Sequence, residues 1–256
     1  MSSIRYTMCT ECRRDTAVVV SLLAWVLSAT TPALADGPGD ELARSVQESK
    51  VNLGFRYRFE AVDDDAFVNN AWASTLRSRL TVVPKPLSGF GLLLEVDDVR
   101  HIGAENFNDS RNGVTDRPSV VDPEGTDLNQ ALLRYTGFAG TELAIGRQRI
   151  ERNNQRFVGG VGWRQNEQTF DSVSISHRFN EHLNASYAYI NRVNRIQGPD
   201  KGTPPADLDS DTHLMDASYA FGSTLTLAGY WYLMDFEMQA RSPTRCWGYG
   251  PPADYR

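Results

Sequence analysis

Arginine side chains are concentrated in the stretch from Gly146 to Ile175, GRQRIERNNQRFVGGVGWRQNEQTFDSVSI. The stretch mixes them with glutamine and asparagine and is too polar for a buried core. A guanidinium group presents a planar fork of donors that can bind both oxygens of a carboxylate or phosphate. The residue types therefore predict a site for anions. The arginines of the stretch are Arg147, Arg149, Arg152, Arg156 and Arg164.

Segments of period-two hydrophobicity lie on both sides of this stretch. From Val51 to Ala61, apolar residues alternate strictly with polar ones, which is typical of a strand with one apolar face. The same pattern recurs along the chain and predicts nine strands. They lie near residues 51–61, 72–82, 90–97, 130–136, 142–145, 173–176, 183–189, 215–221 and 225–233.

The connections between the predicted strands alternate in length. Short turns such as Gly137 to Gly140 join antiparallel neighbours directly. The long connections, 62–70, 103–127, 150–168 and 193–212, all fall at the other end of the sheet. An antiparallel up-and-down transmembrane β-barrel has this asymmetry, with short periplasmic turns and long outer loops. The predicted fold class is therefore all-β. The predicted location is the outer membrane, where lipid surrounds the barrel.

Two other classes of protein have similar sequence features. A soluble secreted β-sandwich with a binding role would have strands of about five to six residues, whereas several segments here approach the roughly 9 to 11 residues that cross a bilayer. A phospholipase-like barrel enzyme would need a serine beside a histidine. Ser174 and Ser176 are near His177 in sequence, but adjacent strand residues point to opposite faces.

The period of two also indicates which strand arginines face away from lipid. An arginine on the lipid face at the mid-plane costs about 2 to 4 kcal/mol, so the polar face must meet water. Guanidinium groups on a water-filled wall attract anions. Glu60, Glu95 and Asp97 share this face, so ion pairs within the wall are an equally good interpretation of any one arginine. The strand arginines on the polar face are Arg56, Arg58, Arg77, Arg79 and Arg134.

The facing of the arginines in the 146–175 stretch is less regular. The phase of Leu143 and Ile145 turns Arg147 and Arg149 outward unless Gly146 begins a bulge. Both orientations stay open. The remaining three arginines lie within the loop and are free to fold toward a pore.

The ends of the chain predict export and an interrupted barrel. Residues 1–35 have a charged start, an apolar run and an Ala33-Leu34-Ala35 cleavage site, the pattern of a signal peptide. Residues 36–50 follow as a periplasmic segment, and 51–236 carry the strands. Residues 237–256 lack alternation and are expected to form a non-barrel tail. We expect the sequence to be a truncated or frame-shifted reading of a longer gene, which leaves about half a barrel.

Composition excludes other classes of protein. The net charge of −6 disfavours nucleic acid as a partner. Cys9 and Cys12 fall in the segment to be removed, which leaves Cys246 without an internal disulfide partner. The four histidines have no metal-binding spacing, and the acidic stretches 63–65 and 206–211 lack the spacing of an EF-hand. No metal, cofactor or catalytic residue is predicted.

Residues 146–171 resemble the alginate export family of outer-membrane porins. The resemblance rests on Gly146-Arg147-Gln148, on Gln155 to Gly159 and on Trp163 to Asp171, and it extends more weakly over about 50–236. It implies a barrel of about 18 strands with an arginine-lined, anion-selective lumen. It also implies passive passage of an anionic solute or a polyuronate such as alginate, with a periplasmic export partner as a further expectation.

Overall fold

The computed structural model of the protein describes residues 38–103 and 105–236 and the strand Thr244–Gly250. The predicted signal peptide and most of the predicted tail lie outside the described residues. One helix and ten strands are present. They are α1 (Pro38–Gln47), β1 (Lys50–Val62), β2 (Ala71–Val83), β3 (Phe90–His101), β4 (Gly125–Tyr135), β5 (Thr141–Gln148), β6 (Thr169–Arg178), β7 (Leu183–Asn194), β8 (Asp207–Phe221), β9 (Leu225–Met234) and β10 (Thr244–Gly250).

The strands form one antiparallel sheet in which each strand pairs with its neighbours in sequence, from β1 to β10. In the described part of the chain, β1 pairs only with β2 and β10 only with β9, so the sheet is open. The up-and-down topology predicted from the sequence is confirmed, and all nine predicted strands are present. β10 extends the sheet by one strand, within a segment for which the sequence predicted no strand.

The outward face of the sheet is apolar. On β1, for example, Leu53, Phe55, Tyr57 and Phe59 all have exposed side chains, while the residues between them are half-buried. β1 and β2 have 13 residues each, enough to cross a bilayer when tilted. An exposed apolar band on strands of this length has the dimensions of the lipid-facing band of a transmembrane barrel.

The short connections lie at one end of the sheet and the long ones at the other. At the short end, α1 packs beside the β2–β3 turn, where Ser45 Oγ donates to the carbonyl of Lys85 at 2.6 Å. Lys85 Nζ also lies 2.6 Å from Glu48. No sequence pattern had predicted this helix. Among the helical residues that the structure describes, none form a helix long and apolar enough to cross a membrane.

Two of the long connections fold inward over the polar face. In the β3–β4 loop (residues 102–124), Phe107 and Val120 are fully buried against Ala71 and Ala73 of β2. The burial of these two side chains removes apolar surface from water and holds the loop on the wall.

The β5–β6 loop (residues 149–168) is held in the same way at the other side of the sheet. Its side chains Ile150 and Val158 pack on Ile190, Leu214 and Tyr232 of β7, β8 and β9. The period-two pattern predicted an inner face that is polar throughout, and the structure differs from this prediction. The inner face carries an apolar patch where this loop rests.

Candidate pore-lining site

Gln165, in the β5–β6 loop, fastens the loop to the inner face of the sheet. Its fully buried amide Nε2 donates to Thr75 Oγ1 at 2.9 Å, and its Oε1 accepts from Arg56 Nε at 3.0 Å. Its backbone N–H donates to Asp122 Oδ1 at 2.8 Å. Since a buried amide is costly to leave unpaired, these bonds specify one position for the loop.

Next to Gln165 lies a group of six charged side chains that we call the central charge cluster. Two arginines come from β2, two carboxylates from β3, and the β5–β6 loop contributes one residue of each sign. With three positive and three negative charges, the cluster is neutral. Its members are Arg77, Arg79, Glu95, Asp97, Arg149 and Glu167.

Arg79 forms the strongest pair of the central charge cluster. Its guanidinium binds both oxygens of Asp97, with distances of 2.7 and 2.6 Å, and also lies 3.0 Å from Glu167. The carboxylate of Glu95 accepts hydrogen bonds from two side-chain amides, since Asn129 and Gln130 donate to its Oε1 at 2.8 and 2.9 Å. The cluster is thus a hydrogen-bonded network across three elements of the fold.

Glu167 connects the loop to this network. Burial disfavours its charged form, but the guanidinium groups of Arg79 and Arg149 outweigh burial and lower the pKa of its carboxyl below the ordinary value. Its Oε2 accepts from Arg149 Nε at 2.8 Å, and its Oε1 lies 3.3 Å from Arg77. Glu167 therefore stays ionised as the counter-charge of the wall arginines.

A second ionic group lies nearer the long-loop end. Arg164 lies 3.4 Å from Glu60 and 3.8 Å from Asp122, and Arg58 contacts the same two carboxylates. Burial raises the pKa of the Asp122 carboxyl above its ordinary value, although the N–H of Gln165 and the two arginines oppose this. Here too, the guanidinium charge is compensated from within the protein.

Arg56 has a different role from its neighbours. Its guanidinium donates to backbone carbonyls of the β5–β6 loop, to Gly162 at 2.9 Å and to Arg164. With its bond to Gln165, this side chain clamps the loop rather than facing open space.

The sheet and the loop enclose a cavity of about 1030 Å³ on the inner face of β5 to β9. Arg152, Arg156 and Arg178 line it, together with Asp216 and Tyr230. Arg152 lies 3.2 Å from Asp216. Within residues 38–103 and 105–236, no carboxylate lies within 4.0 Å of the guanidinium groups of Arg156 and Arg178.

The structure separates Arg147 from Arg149. Arg147 pairs in register with Asp171, two residues from the outward-facing Ile145, and its Nε donates to Asp171 at 2.8 Å. Arg149 follows the end of β5 and turns inward to the central charge cluster. Arg147 is thus not brought to the inner face. Arg134, another of the predicted pore-lining residues, is exposed and lies 3.9 Å from Glu142.

Sequence reasoning missed Gln165, Asp122 and Glu167 as members of the site. Glu167 and Gln165 lie in the arginine-rich stretch, so their polarity was a signal, but their partners are distant in sequence. It also missed Arg178, which continues the polar phase of Ser174 and Ser176 on β6. His101, for which the sequence showed no metal-binding spacing, lies 3.6 Å from Glu105.

The serine and histidine pair required by an enzyme is not formed by the residues considered for it. His177 Nδ1 lies 2.8 Å from the hydroxyl of Thr141, its register partner on β5. The neighbouring Ser174 and Ser176 face the other side of β6.

The sequence matches the model of one protein family. Residues 47–191 match the alginate export family, and this segment is more than half of the chain. It includes the β5–β6 loop and every residue of the central charge cluster. No curated protein has a sequence significantly similar to this chain.

Several solved protein structures are similar to this one. OccAB1 of Acinetobacter baumannii superimposes with a TM-score of 0.54 at 12% identity, covering 75% of this chain and 45% of its own. OccAB4 of the same organism has a TM-score of 0.48 at 16% identity, covering 74% and 50%. OpdQ of Pseudomonas aeruginosa has 0.44 at 12%, covering 76% and 53%. The chain thus spans about half the length of these proteins.

Proposed function

The chain belongs to the alginate export family, and from this premise we propose that it forms the wall of an outer-membrane porin for an anionic solute or polysaccharide. Passage is passive, with no covalent step. The observation that supports the proposal most directly is the cavity on the inner face of β5 to β9, where Arg156 and Arg178 have no described carboxylate partner.

The arginines fall into two groups, those beside carboxylates and those without a described carboxylate partner, and the cavity contains arginines of the second group. The arginines of the central charge cluster already have carboxylates beside them, so they contribute little net field to a passing solute. An uncompensated guanidinium in a water-filled cavity attracts anions and can bind a carboxylate through both of its oxygens. In this proposal the central charge cluster holds the β5–β6 loop, and the cavity arginines contact the solute.

A chain of uronate sugars has the chemistry that fits the cavity. It carries one carboxylate per sugar for the guanidinium groups, and the sugar rings present apolar faces. Phe157 and Tyr230, with ring centroids 6.2 Å apart, line the same cavity as Arg156. Arg156 also lies over the Phe157 ring at 5.9 Å, so charge and aromatic surface adjoin each other.

The proposal includes a location and an orientation. The apolar outer face lies in outer-membrane lipid, the signal peptide 1–35 directs export, and the short-turn end with α1 faces the periplasm. A polysaccharide exporter needs a periplasmic partner to deliver its substrate, and the short-turn end is where such a partner would bind.

Planar-bilayer recordings of the full-length gene product test the proposal. We expect a reversal potential that favours chloride over potassium, and block by a polyuronate oligomer but not by a neutral oligosaccharide of the same length. A unit charge about 8 Å from the path contributes about 0.5 kcal/mol in water. The double substitution Arg156→Ala, Arg178→Ala removes two such charges, each of which attracts chloride and repels potassium, so the chloride-to-potassium ratio should fall by up to about thirtyfold in dilute salt and by less as salt screens the charges.

Arg192→Ala is the matched control. Arg192 is in register with Asp209 and lies 3.1 Å from its carboxylate, and neither residue lines the cavity. This variant should keep the selectivity of the original chain. Cation preference, an absence of conductance, or equal block by the neutral oligosaccharide would contradict the proposal.

A further inference from the structure

His101, Glu105 and Glu124 come together where the β3–β4 loop begins and ends. His101 is the last residue of β3, Glu105 lies near the start of the loop, and Glu124 directly precedes β4. Each offers one ligand atom, and the three atoms lie within 4.8 Å of one another. This group lies apart from the central charge cluster and from the arginine-lined cavity.

The hydrogen bonds of His101 determine which of its ring nitrogens is free. Nε2 lies 3.0 Å from the backbone carbonyl of Asp122, and a carbonyl oxygen can only accept. Nε2 therefore carries the hydrogen and donates, which leaves a lone pair on Nδ1 of the neutral ring. Metal-binding histidines typically donate their other N–H to a carbonyl or carboxylate in this way, which fixes the tautomer and the ring orientation.

The free nitrogen has no hydrogen-bond partner among the described residues. The His101 side chain is only 4% exposed, and its Nδ1 is buried and unpaired. It points at the carboxylate of Glu105, whose Oε1 is 3.6 Å away. Two lone pairs facing each other at this distance repel unless a proton or a metal cation lies between them.

The carboxylates have capacity left for a cation. Glu124 accepts the backbone N–H of His101 with Oε1 at 2.7 Å, which positions its carboxylate while leaving the other oxygen available. Glu105 is about half exposed and can move toward the ring. Ligand atoms of a tetrahedral zinc site are about 3.3 Å apart, so only a small closure of the group is needed.

We propose that His101 Nδ1, Glu105 and Glu124 bind a divalent transition cation, with Zn²⁺ as the best-fitting probe. One imidazole nitrogen and two carboxylates form a three-ligand site in which water completes the tetrahedron. The two carboxylates neutralise the cation. Because the ligands come from both ends of the β3–β4 loop, the cation joins those ends and holds in place the loop that carries Asp122.

Zinc titration of the full chain, folded in detergent and stripped with EDTA, tests the site. We expect one Zn²⁺ per chain by calorimetry. X-ray absorption should show only nitrogen and oxygen neighbours at about 2.0 to 2.1 Å. His101→Ala and Glu105→Gln should each weaken binding at least about tenfold. Ca²⁺ at the same concentration should not displace the zinc, since calcium prefers oxygen ligands.

His182→Ala is the control, because His182 lies in the exposed β6–β7 turn and its loss should leave the affinity unchanged. Glu105→Gln keeps the test decisive if His101→Ala fails to fold, since the Glu105 side chain is exposed. The proposal is overturned if no zinc binds, if Glu105→Gln binds it as tightly as the original chain, or if sulfur appears among the neighbours.

Discussion

The carboxylate of Glu167 lies 3.0 Å from the guanidinium of Arg79, and this ion pair joins the β5–β6 loop to strand β2. The Glu167 side chain is only 6% exposed, so the pair is shielded from solvent. Arg79 is held at the same time by both oxygens of Asp97. The loop is therefore fixed to a wall residue whose own orientation is already determined.

Replacing Glu167 with glutamine should destabilise the folded chain. The substitution keeps the shape of the side chain but leaves Arg77, Arg79 and Arg149 with only two carboxylates in a buried site. Removing one partner of a buried ion pair costs about 3 kcal/mol or more. Urea unfolding in lipid vesicles, followed by tryptophan fluorescence, measures this loss of unfolding free energy.

Glu142→Gln is the matched control for that experiment. Glu142 is 46% exposed and lies 3.9 Å from Arg134, so its loss should cost under about 1 kcal/mol. Equal losses in the two variants would show that the central charge cluster does not hold the loop.

The contribution of Glu167 to stability should depend on pH in a defined direction. Its folded-state pKa is lowered, so its contribution is fully present above the unfolded pKa of about 4.3 and is lost as the pH falls through the folded pKa. The stability difference between the original chain and Glu167→Gln should thus shrink below about pH 4.3.

Asp122, whose pKa is raised by burial, has the opposite pH dependence. Its contribution is lost as the pH rises through its folded pKa. Because Asp122 is present in both chains, this effect cancels in their difference. A difference that stays constant or grows from pH 7 to pH 3 would argue against an ionised Glu167.

Gly146→Ala should disrupt the pairing of β4 with β5. Gly146 has a φ of +124°, and a Cβ added there would lie 2.1 Å from the backbone oxygen of Ala131. A backbone oxygen in a paired strand cannot move aside, and the strained φ alone costs about 1 to 3 kcal/mol. The same urea unfolding assay should show a loss of at least this size.

Gly54→Ala provides the comparison within β1. A Cβ at Gly54 meets nothing within 4 Å, and alanine suits a strand at least as well as glycine. Its stability should match that of the original chain. If Gly146→Ala were equally stable, the close approach at Ala131 would have no energetic weight.

Strand positions and topology followed from the sequence because both depend on local pattern. A period of two identifies a strand with one apolar face, and alternating connection lengths identify antiparallel neighbours. The helix α1 was missed because Pro38–Gln47 is short and its packing partner, Lys85, lies in a distant turn. β10 was missed because Thr244–Gly250 is short and lies between Pro243 and Pro251.

By itself, the sequence determined that Arg77 and Arg79 share the polar face of one strand, since side-chain direction alternates with each residue. Only the tertiary structure decided what those arginines do. Their partner Glu167 arrives from a loop whose path depends on the burial of Ile150 and Val158 and on the amide of Gln165. Arg147 and Arg149 diverge because β5 ends at Gln148. Contacts between segments distant in the chain depend on packing and charge in three dimensions. A local sequence period does not predict them.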